Sequence, residues 1–509
     1  MTDSTTNEYK EQRLVNMREL EKMGYKPFGH AFKRTGRLAE IRAAYEEGMR
    51  ITAAGRLMTV RLMGKSSFAD IRDGSDRLQV YAQKNQLGDD AFKAFNLLDV
   101  GDHIGVEGTL FTTKTGEKTL KIEKWTLLSK ALLPLPEKWH GLKNIEARYR
   151  QRYLDLVANP DVRFFFNKRI LAIQEIRNYL VERGFFEVET PMIQTLAGGA
   201  AAKPFITHYS ALNTDMYLRI APELYLKRLL VGGFDKVFEL NRNFRNEGLS
   251  RTHNPEFTML EIYEAYSDVN GMKDLVQGLI THVAKTVFGS LRIGLPSSSL
   301  LEGAGGKSGD GNHEGEVVDQ TQDISHDAET IDLTPPWREV NYRYLIAEKM
   351  GDDWFALSLE DARRRAETLG LTLAPKWNMA EITHEIYEKV IERSIVQPTF
   401  VTRFPAEVVP LAKTCEDDES VADVFELVIG GQEIAPAYTE LNDPIEQRRR
   451  LETQAAAGSD KLDEDFLTAL EHGMPPAGGM GIGIDRLFMI LSGSEAIRDV
   501  ILFPQLKPK

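Results

Sequence analysis

Five short segments of alternating apolar and polar residues lie close together between residues 50 and 128 of this chain. They cover residues 51–62, 67–72, 78–82, 103–112 and 119–127, and turn signals such as Asp73-Gly74 lie between them. Alternation with period two indicates half-buried strands, and the turn residues mark their ends. Five short strands within about 80 residues predict a small closed β-barrel.

The OB-fold is the five-stranded barrel that commonly binds oligonucleotides, and the distribution of charge bears on this interpretation. The net charge of the whole chain is -13, but residues 1–150 carry 26 Lys+Arg against 20 Asp+Glu, whereas the remaining residues carry 37 against 56. A basic N-terminal part can present its face to phosphates while an acidic body handles another ligand. Sign asymmetry alone is weak evidence, and scattered solvated charges are the alternative.

The overall composition is that of a globular protein of about two to three domains, with 509 residues, 42% of them hydrophobic and 27% charged. We find no run of the roughly 18 to 20 apolar residues that a membrane span needs, and the N-terminal residues lack a signal-peptide pattern. We therefore expect a cytosolic protein without a membrane span. The single cysteine, Cys415, excludes an internal disulfide bond, and we expect it to pack as a small hydrophobe.

The segments around the predicted barrel indicate an N-terminal helix and a larger second domain. Apolar residues recur at helical spacing before Gly24, where a helix would stop. Leucine and proline residues between positions 132 and 140 predict a linker. A helical segment over residues 161–183 then precedes alternating strands and helices, which indicate an α+β domain. We expect one domain over residues 1–140 and a second over residues 141–509.

One segment of the second domain differs from its surroundings. Residues 297–332 contain six glycines, no aromatic residue and nine acidic residues against the single basic Lys307. Such a segment buries too little apolar surface to order itself. We predict a disordered insertion between two short strands, at residues 291–295 and 330–333.

A hairpin with unusual contents is predicted between residues 237 and 266. Strands over residues 237–244 and 258–266 flank a long polar loop. Side chains alternate along a strand, so Glu261 and Tyr263 share one face. The loop adds Arg245, Glu247, His253 and Phe257. This grouping favours a ligand cradle over the alternative, a solvated sheet face.

A second hairpin is predicted where Gly430 and Gly431 follow an apolar run. A two-residue turn there pairs Ile429 with Gln432, Val428 with Glu433 and Leu427 with Ile434. Glu426 and Glu433 then become diagonal neighbours on one face, about 7 to 8 Å apart at the backbone. Hard carboxylate oxygens favour Mg²⁺, which commonly bridges protein carboxylates and substrate phosphates. Neutralisation of both carboxylates by an arginine is the alternative.

A glycine-rich strand precedes the last apolar helix, and its residues 478–486 read GGMGIGIDR. Glycines that alternate along a strand leave one face bare, so a flat ligand or another backbone can approach closely. Arg486 then lies at the start of the helix. Neither the dinucleotide-binding GxGxxG spacing nor a P-loop is present. Simple packing of helix against sheet is the alternative.

Three stretches occur in a fixed order: GFFEVETP at residues 184–191, FRNE at 244–247 with HNPEF at 253–257, and GIGIDR at 481–486. They resemble the three signature motifs of class II aminoacyl-tRNA synthetases. Further stretches are similar to those of lysyl-tRNA synthetases of the bacterial type: RYRQRYLDL at 148–156, GGA at 198–200, APELYLKR at 221–228 and TELNDP at 439–444. With the predicted barrel, the resemblance covers nearly the whole chain apart from residues 297–332.

The resemblance implies an α+β class II domain with an antiparallel sheet, and an enzyme that uses ATP and Mg²⁺. It would convert L-lysine to lysyl-adenylate and transfer the lysyl group to the 3′ end of tRNA(Lys). Arg245 would clamp the α-phosphate and the lysine carboxylate, and Arg486 the γ-phosphate. The other ATP-binding residues implied are Glu247, His253, Phe257 and Glu426, with Mg²⁺ on Glu426 and Glu433.

The resemblance also implies an acidic pocket for lysine. Glu223 and the carbonyl of Gly199 would receive the α-ammonium; Glu440, Tyr263 and Glu261 would receive the ε-ammonium; Tyr438 would stack along the methylenes. Two positions depart from the family pattern. Pro436 stands where these enzymes commonly have an asparagine, and Thr252 precedes His253 where many bacterial members have an arginine.

In the barrel, Arg61, Phe68 and Gln79 match positions that lysyl enzymes use on the anticodon, although Phe68 could instead be a core aromatic. The resemblance further implies a homodimer formed around Pro191. Two other functions stay open from the sequence. A paralogue that attaches lysine to a protein would lack the barrel, and a non-catalytic RNA-binding regulator would lack the paired arginines and carboxylates.

Overall fold

The computed structural model describes residues 3–136, 142–200, 202–294, 330–456 and 462–508. The chain divides into two compact units. The first comprises Met1–Asn144 with Tyr153–Asn159, and the second comprises Ile145–Arg152 with Pro160–Lys509.

A closed barrel of five strands forms the centre of the first unit. Its strands are β1 (Arg50–Met63), β2 (Ser66–Arg72), β3 (Arg77–Gln83), β4 (His103–Thr112) and β5 (Lys118–Ser129). The strand order is β1-β2-β3-β5-β4, and β4 closes the barrel on β1. The helices described in this unit are α1 (Asp3–Lys22), α2 (Leu38–Ala43), α3 (Lys84–Leu87) and α4 (Asp89–Phe95). The predicted five-stranded barrel is confirmed, with each strand within two residues of its predicted ends.

The barrel forms because alternate residues of each strand are apolar and point inward. Ala69, Val80 and Leu120 are fully buried in its core, whereas their neighbours along the strands lie on the outer face. Helix α1 buries Leu20 against this core and is followed by Gly24, whose φ of +88° suits glycine. The predicted N-terminal helix is therefore confirmed. Of the predicted linker, residues 137–140 lie outside the described residues.

An eight-stranded, mostly antiparallel sheet forms the centre of the second unit. The strands of this unit are β6 (Phe186–Glu187), β7 (Ile193–Gln194), β8 (Ile206–Tyr209), β9 (Thr214–Leu218), β10 (Lys236–Phe244), β11 (Glu256–Ala265), β12 (Arg292–Gly294), β13 (Thr330–Asp332), β14 (Arg338–Asn341), β15 (Thr399–Thr402), β16 (Val424–Ile429), β17 (Gln432–Thr439) and β18 (Ala477–Gly483). The order in the large sheet is β14-β15-β16-β17-β18-β11-β10-β6. Only its two outer pairs, β14–β15 and β10–β6, are parallel.

The remaining helices that the structure describes follow the barrel along the chain. They are α5 (Ile145–Arg150), α6 (Arg152–Ala158, which lies mainly in the first unit), α7 (Pro160–Val181), α8 (Glu223–Val231), α9 (Val269–Val283), α10 (Tyr342–Met350), α11 (Leu359–Thr368), α12 (Met379–Ile386), α13 (Pro444–Ala456), α14 (Glu464–Glu471), α15 (Ile484–Ser492) and α16 (Ile497–Val500). Short π-helical or 3₁₀ turns occur at Ala284–Phe288, Trp354–Ala356, Tyr387–Ile391, Glu392–Ser394 and Ala406–Val408.

The two faces of the large sheet have different roles. Residues such as Leu260, Ile262 and Ile482 lie on one face and join buried residues of α7, α9 and α15 in the main hydrophobic core. Period-two alternation places Glu261 and Tyr263 on the opposite face. This second face is therefore free of the main core and available for polar chemistry.

The structure corrects one predicted pairing. Ile429 pairs with Gln432 and Val428 with Glu433 as expected, but Leu427 pairs with Ala435 rather than with Ile434. The reason is a β-bulge, because one extra residue in β17 shifts the register beyond it. Glu426 consequently lies opposite Pro436.

The strands that flank the predicted insertion are present and pair with each other as β12 and β13. The predicted range of 297–332 therefore ends inside a strand, and residues 297–329 lie outside the described residues. Among the helices that the structure describes, we find none with the length and apolar character required to cross a membrane.

Gly478 tests how tightly β18 packs against the start of α9. A methyl group added there would lie 2.6 Å from the carbonyl oxygen of Asp268. We expect Gly478→Ala to lower the free energy of unfolding by roughly 1–3 kcal/mol, because the backbone must move to relieve the overlap. Urea denaturation measures the change. Gly294→Ala is the control, since a methyl group there meets no atom within 4 Å, and equal stability of the two variants would contradict the prediction.

Candidate active site

A cavity of about 390 Å³ opens on the polar face of the large sheet. Strands β11, β17 and β18 form its floor, and the loop between β10 and β11 forms one wall. The alternation of glycines in β18 makes this possible, because Gly481 and Gly483 line the cavity without side chains. The bare strand face predicted from the sequence is therefore the floor of a cavity.

Two arginines line the cavity. The loop that carries Arg245 is closed by a hydrogen bond from the Arg245 backbone N–H to the Pro255 carbonyl oxygen (2.9 Å), and the Arg245 guanidinium lies 5.2 Å from the centre of the Phe257 ring. Arg486, in the first turn of α15, donates from Nη1 to the carbonyl oxygen of Glu433 (3.0 Å). The sequence predicted these residues, and the structure brings them to one cavity.

His253 contacts the second arginine directly. Its Nε2 lies 3.1 Å from Nη2 of Arg486, and its Nδ1 lies 2.8 Å from Oγ of Ser250. A guanidinium can only donate, so Nε2 accepts and the proton of the neutral imidazole is on Nδ1. Burial, followed by the charge of Arg486, lowers the pKa of His253. Glu247 also lines the cavity.

The predicted carboxylate pair, Glu426 and Glu433, belongs to a larger acidic group. Burial, then the charges of Glu433 and Glu392, raise the pKa of Glu426 well above its ordinary value. Burial and Glu433 likewise raise the pKa of Glu392 to about 7. Arg486 reaches Glu433, with Nη1 3.5 Å from Oε2, but the repulsion among the carboxylates persists. Within the described ranges we find no group of three His, Cys, Asp or Glu side chains arranged as a complete metal site.

Buried acidic and phenolic groups line one end of the cavity. Tyr263 Oη donates to Glu261 Oε2 (3.1 Å), which confirms that the two side chains share a face. Burial, with a further contribution from Glu223, raises the pKa of Glu261 to about 8. The cavity is also lined by Gly199, Pro436 and Tyr438.

Glu440 lies deeper than the other predicted pocket residues. It does not line the cavity but is fully buried behind it, with Oε2 2.5 Å from Nζ of Lys227. Burial raises the pKa of Glu440 to about 7, against the lowering effect of Lys227. A role for Lys227 was not predicted from the sequence. Its spacing of four residues from Glu223 on one helix was the available signal, because such residues are neighbours on a helix surface.

The barrel residues lie on one outer face. Arg61 and Phe68 are cross-strand partners, and the Phe68 ring packs 4.6 Å from the ring of Tyr81. Phe68 is half-buried and lies outside the barrel core, so the core-aromatic alternative is wrong. Gln79 is buried, and its Oε1 accepts a hydrogen bond from Thr119 (2.8 Å). Tyr81, which was not predicted from the sequence, extends the aromatic surface.

Comparisons with known proteins agree with this arrangement. Residues 144–507 match the family model described as class II tRNA synthetases (D, K and N), and residues 51–128 match the model of an OB-fold nucleic acid binding domain. A lysine–tRNA ligase of Syntrophomonas wolfei is 47% identical over 520 residues, which cover 100% of this chain and 99% of the relative.

Further relatives cover the chain equally well. A lysine–tRNA ligase of Carboxydothermus hydrogenoformans is 46% identical, with 100% of both chains covered. One of Staphylococcus saprophyticus is 44% identical, with 99% of both chains covered. This chain therefore belongs to the lysine–tRNA ligase family of class II tRNA synthetases.

Proposed function

We propose that this protein joins L-lysine to ATP and then transfers the lysyl group to the 3′ end of tRNA(Lys). One observation carries the proposal: a single cavity is lined both by two arginines and by buried acidic groups. Such a cavity suits a pair of ligands that brings both anionic groups and ammonium groups. The barrel argues against the paralogue that attaches lysine to a protein, because that paralogue would lack the barrel.

In the first step the lysine carboxylate attacks the α-phosphorus of ATP. A bond forms between a carboxylate oxygen and the α-phosphorus, and the bond from the α-phosphorus to the oxygen that bridges it to the β-phosphorus breaks. Pyrophosphate leaves with that bridging oxygen. No general base is needed, since a carboxylate is already a nucleophile. Arg245 would hold the carboxylate and the α-phosphate together, and Arg486 would bind the γ-phosphate; fixed charges of this kind stabilise the transition state without reorganisation.

Adenine would bind between neutral groups of the cavity. The lowered pKa of His253 keeps the ring uncharged near pH 7, and Phe257 offers an apolar surface beside Arg245. Glu247 lines the same wall and would contact ATP. These residues would orient the nucleotide so that its α-phosphorus faces the lysine carboxylate.

Glu426 and Glu433 would hold Mg²⁺. The raised pKa of Glu426 supports this fit, because unrelieved repulsion between carboxylates is what a divalent cation removes. The ion would supply positive charge to the polyphosphate. Two carboxylates leave most of its coordination positions for phosphate and water, as Mg²⁺ commonly requires.

Lysine would be recognised by charge. Glu223 and the carbonyl of Gly199 would bind the α-ammonium, and Glu440, Tyr263 and Glu261 the ε-ammonium, while Tyr438 would flank the methylenes. Aspartate and asparagine, the substrates of the related enzymes, need donors for their side chains. An acidic pocket excludes them by leaving like charges or acceptors unpaired.

The barrel would read the anticodon, and a second copy of the chain would complete the enzyme. Arg61, Phe68 and Gln79 lie on one face of the barrel, where aromatic rings can stack on single-stranded bases. In the second unit, large apolar side chains are exposed near Pro191, among them Phe186, Ile193 and Ile206. Exposed apolar residues of this kind support a homodimer. We also propose a cytoplasmic location, where tRNA is charged for translation.

Arg245→Ala tests the anionic end. We expect lysine-dependent ATP–pyrophosphate exchange to fall at least about a hundredfold, because the variant loses a preorganised charge in the transition state. Arg242→Ala is the matched control, since Arg242 pairs with Glu256 and does not line the cavity. An exchange rate of the Arg245→Ala variant within threefold of the parent's rate would contradict the proposed role of Arg245.

Glu440→Gln tests the ammonium end. We expect the KM for lysine to rise at least about tenfold while the KM for ATP stays within threefold, because a countercharge is removed from a desolvated ammonium. Steady-state exchange kinetics measure both constants. Glu264→Gln, on β11 and paired with Lys236, serves as the control. Parallel losses for lysine and ATP would contradict the assignment.

Phe68→Ala tests the role of the barrel. We expect tRNA charging to fall about five- to a hundredfold, the equivalent of a stacking contact of about 1–3 kcal/mol, with pyrophosphate exchange unchanged. Charging should also weaken as salt rises, since phosphate contacts release counterions. Phe28→Ala, an exposed aromatic of the same unit, is the control. Equal losses of charging and exchange in a folded Phe68 variant would refute the division of labour.

A further inference from the structure

Lys227 joins two carboxylates that come from distant parts of the chain. It lies in α8 with its side chain fully buried. Its Nζ is 2.7 Å from Oε1 of Glu223, one turn earlier on the same helix, and 2.5 Å from Oε2 of Glu440, just after β17. The carbonyl oxygen of Leu411 lies 3.5 Å away. One internal ammonium is thus shared between two carboxylates.

Each of these carboxylates has a second oxygen besides the one in the ion pair with Lys227. Both oxygens of Glu440 are buried without a hydrogen bond, and Oε2 forms the ion pair with Lys227. The other oxygen is Oε1. It lies against the bare face of β18, because a methyl group on Gly479 would collide with it and would come within 2.6 Å of the Tyr263 ring. Oε2 of Glu223 lies 3.7 Å from where a methyl group on Gly199 would be. Both oxygens therefore face residues of the acidic end of the site.

We propose that Lys227 is a positioning residue that fixes the orientation and spacing of the two carboxylates which receive the substrate's ammonium groups. This inference rests on the proposed function, with lysine as the substrate. Lys227 binds one oxygen of each carboxylate and leaves the other oxygen for the ligand. The site is thereby set for an amino acid with two ammonium groups at a defined separation, and it disfavours amino acids with a neutral end group.

The charges around Lys227 explain why such a group is needed. Glu223 and Glu440 contact Lys227 directly. Glu261 and Tyr263 on β11 and Tyr438 on β17 lie near these two carboxylates. Arg219 and Arg245 add positive charge beside Glu261. Carboxylates buried together favour protonation. Lys227 opposes this by lowering the pKa of Glu440, and its own pKa, which burial would lower, is raised by its two partners.

The direction of the pH effect follows. Without Lys227 the pKa of Glu440 rises further, so a larger fraction of this carboxyl is protonated at pH 7. The ε-ammonium of lysine then meets a neutral group, and binding requires a proton to leave. The KM for lysine should therefore increase most at low pH and recover as pH rises.

The experiment compares Lys227→Met with the parent in ATP–pyrophosphate exchange. Two amino acids are used, lysine and 6-hydroxynorleucine, which carries a neutral hydroxyl in place of the ε-ammonium, between pH 6.5 and 8.5. For the variant we expect the preference for lysine, as a ratio of kcat/KM values, to fall at least tenfold. The KM for lysine should rise at least tenfold at pH 6.5 and less at pH 8.5, with the KM for ATP within threefold. Lys236→Met, which removes a lysine outside the cavity, is the control.

The outcomes separate the two proposals. A parent without lysine-dependent exchange would overturn the proposed function itself. A folded Lys227→Met protein that loses activity equally toward both amino acids, with an unchanged pH profile, would show a merely structural role and overturn the positioning role. If this variant does not fold, Lys227→Arg decides the question. It keeps the charge but displaces both contacts, so we expect a raised KM for lysine with the parent's pH profile; kinetics equal to the parent's would overturn the inference.

Discussion

Burial of like charges at one end of a single cavity is the constraint on which the rest of the site depends. Glu223, Glu261 and Glu440 are all buried, and Lys227 is the ammonium that lies between two of them. Removing a carboxylate from water costs several kcal/mol unless a nearby positive charge compensates for the lost hydration. Without a ligand, protonation of these carboxyl groups avoids part of this cost, and the raised pKa values of Glu261 and Glu440 favour such protonation. A ligand with two ammonium groups would supply the positive charge that compensates the buried carboxylates.

The fold makes this arrangement possible through β18. Gly479 leaves room for Glu440 and for the Tyr263 ring, and Gly481 and Gly483 leave the floor of the cavity bare. The same strand leads into α15, which carries Arg486 in its first turn. Strand β18 and the first turn of α15 thus connect Gly479, beside Glu440, to Arg486 through one continuous backbone segment. A rigid connection of this kind holds the two ends at a fixed separation, which a reaction between two bound substrates requires.

Sequence reasoning succeeded where local rules decide the outcome. Period-two alternation predicted the strands of the barrel and the shared face of Glu261 and Tyr263, and these follow from strand geometry alone. It failed where an irregularity or a tertiary contact decides. The bulge in β17 changed the partner of Leu427. The alternation of apolar and polar residues does not indicate where a strand contains such an extra residue. The burial of Glu440 and its pairing with Lys227 depend on how α8 packs beside the end of β17, which sequence spacing does not specify. The roles of the site residues came from resemblance to a family, not from spacing.

The central claim is that the acidic end of the cavity exchanges protons for the ammonium groups of lysine. Calorimetric titration of lysine into the protein at pH 7, in buffers of different ionisation enthalpy, measures the number of protons exchanged on binding. Because the pKa values of Glu440 and Glu261 are raised to about 7 and about 8, a bound ammonium should lower them and release protons into the buffer. The account predicts net proton release that diminishes toward pH 9. Lysine binding at pH 7 with no proton release, or with proton uptake, would contradict it.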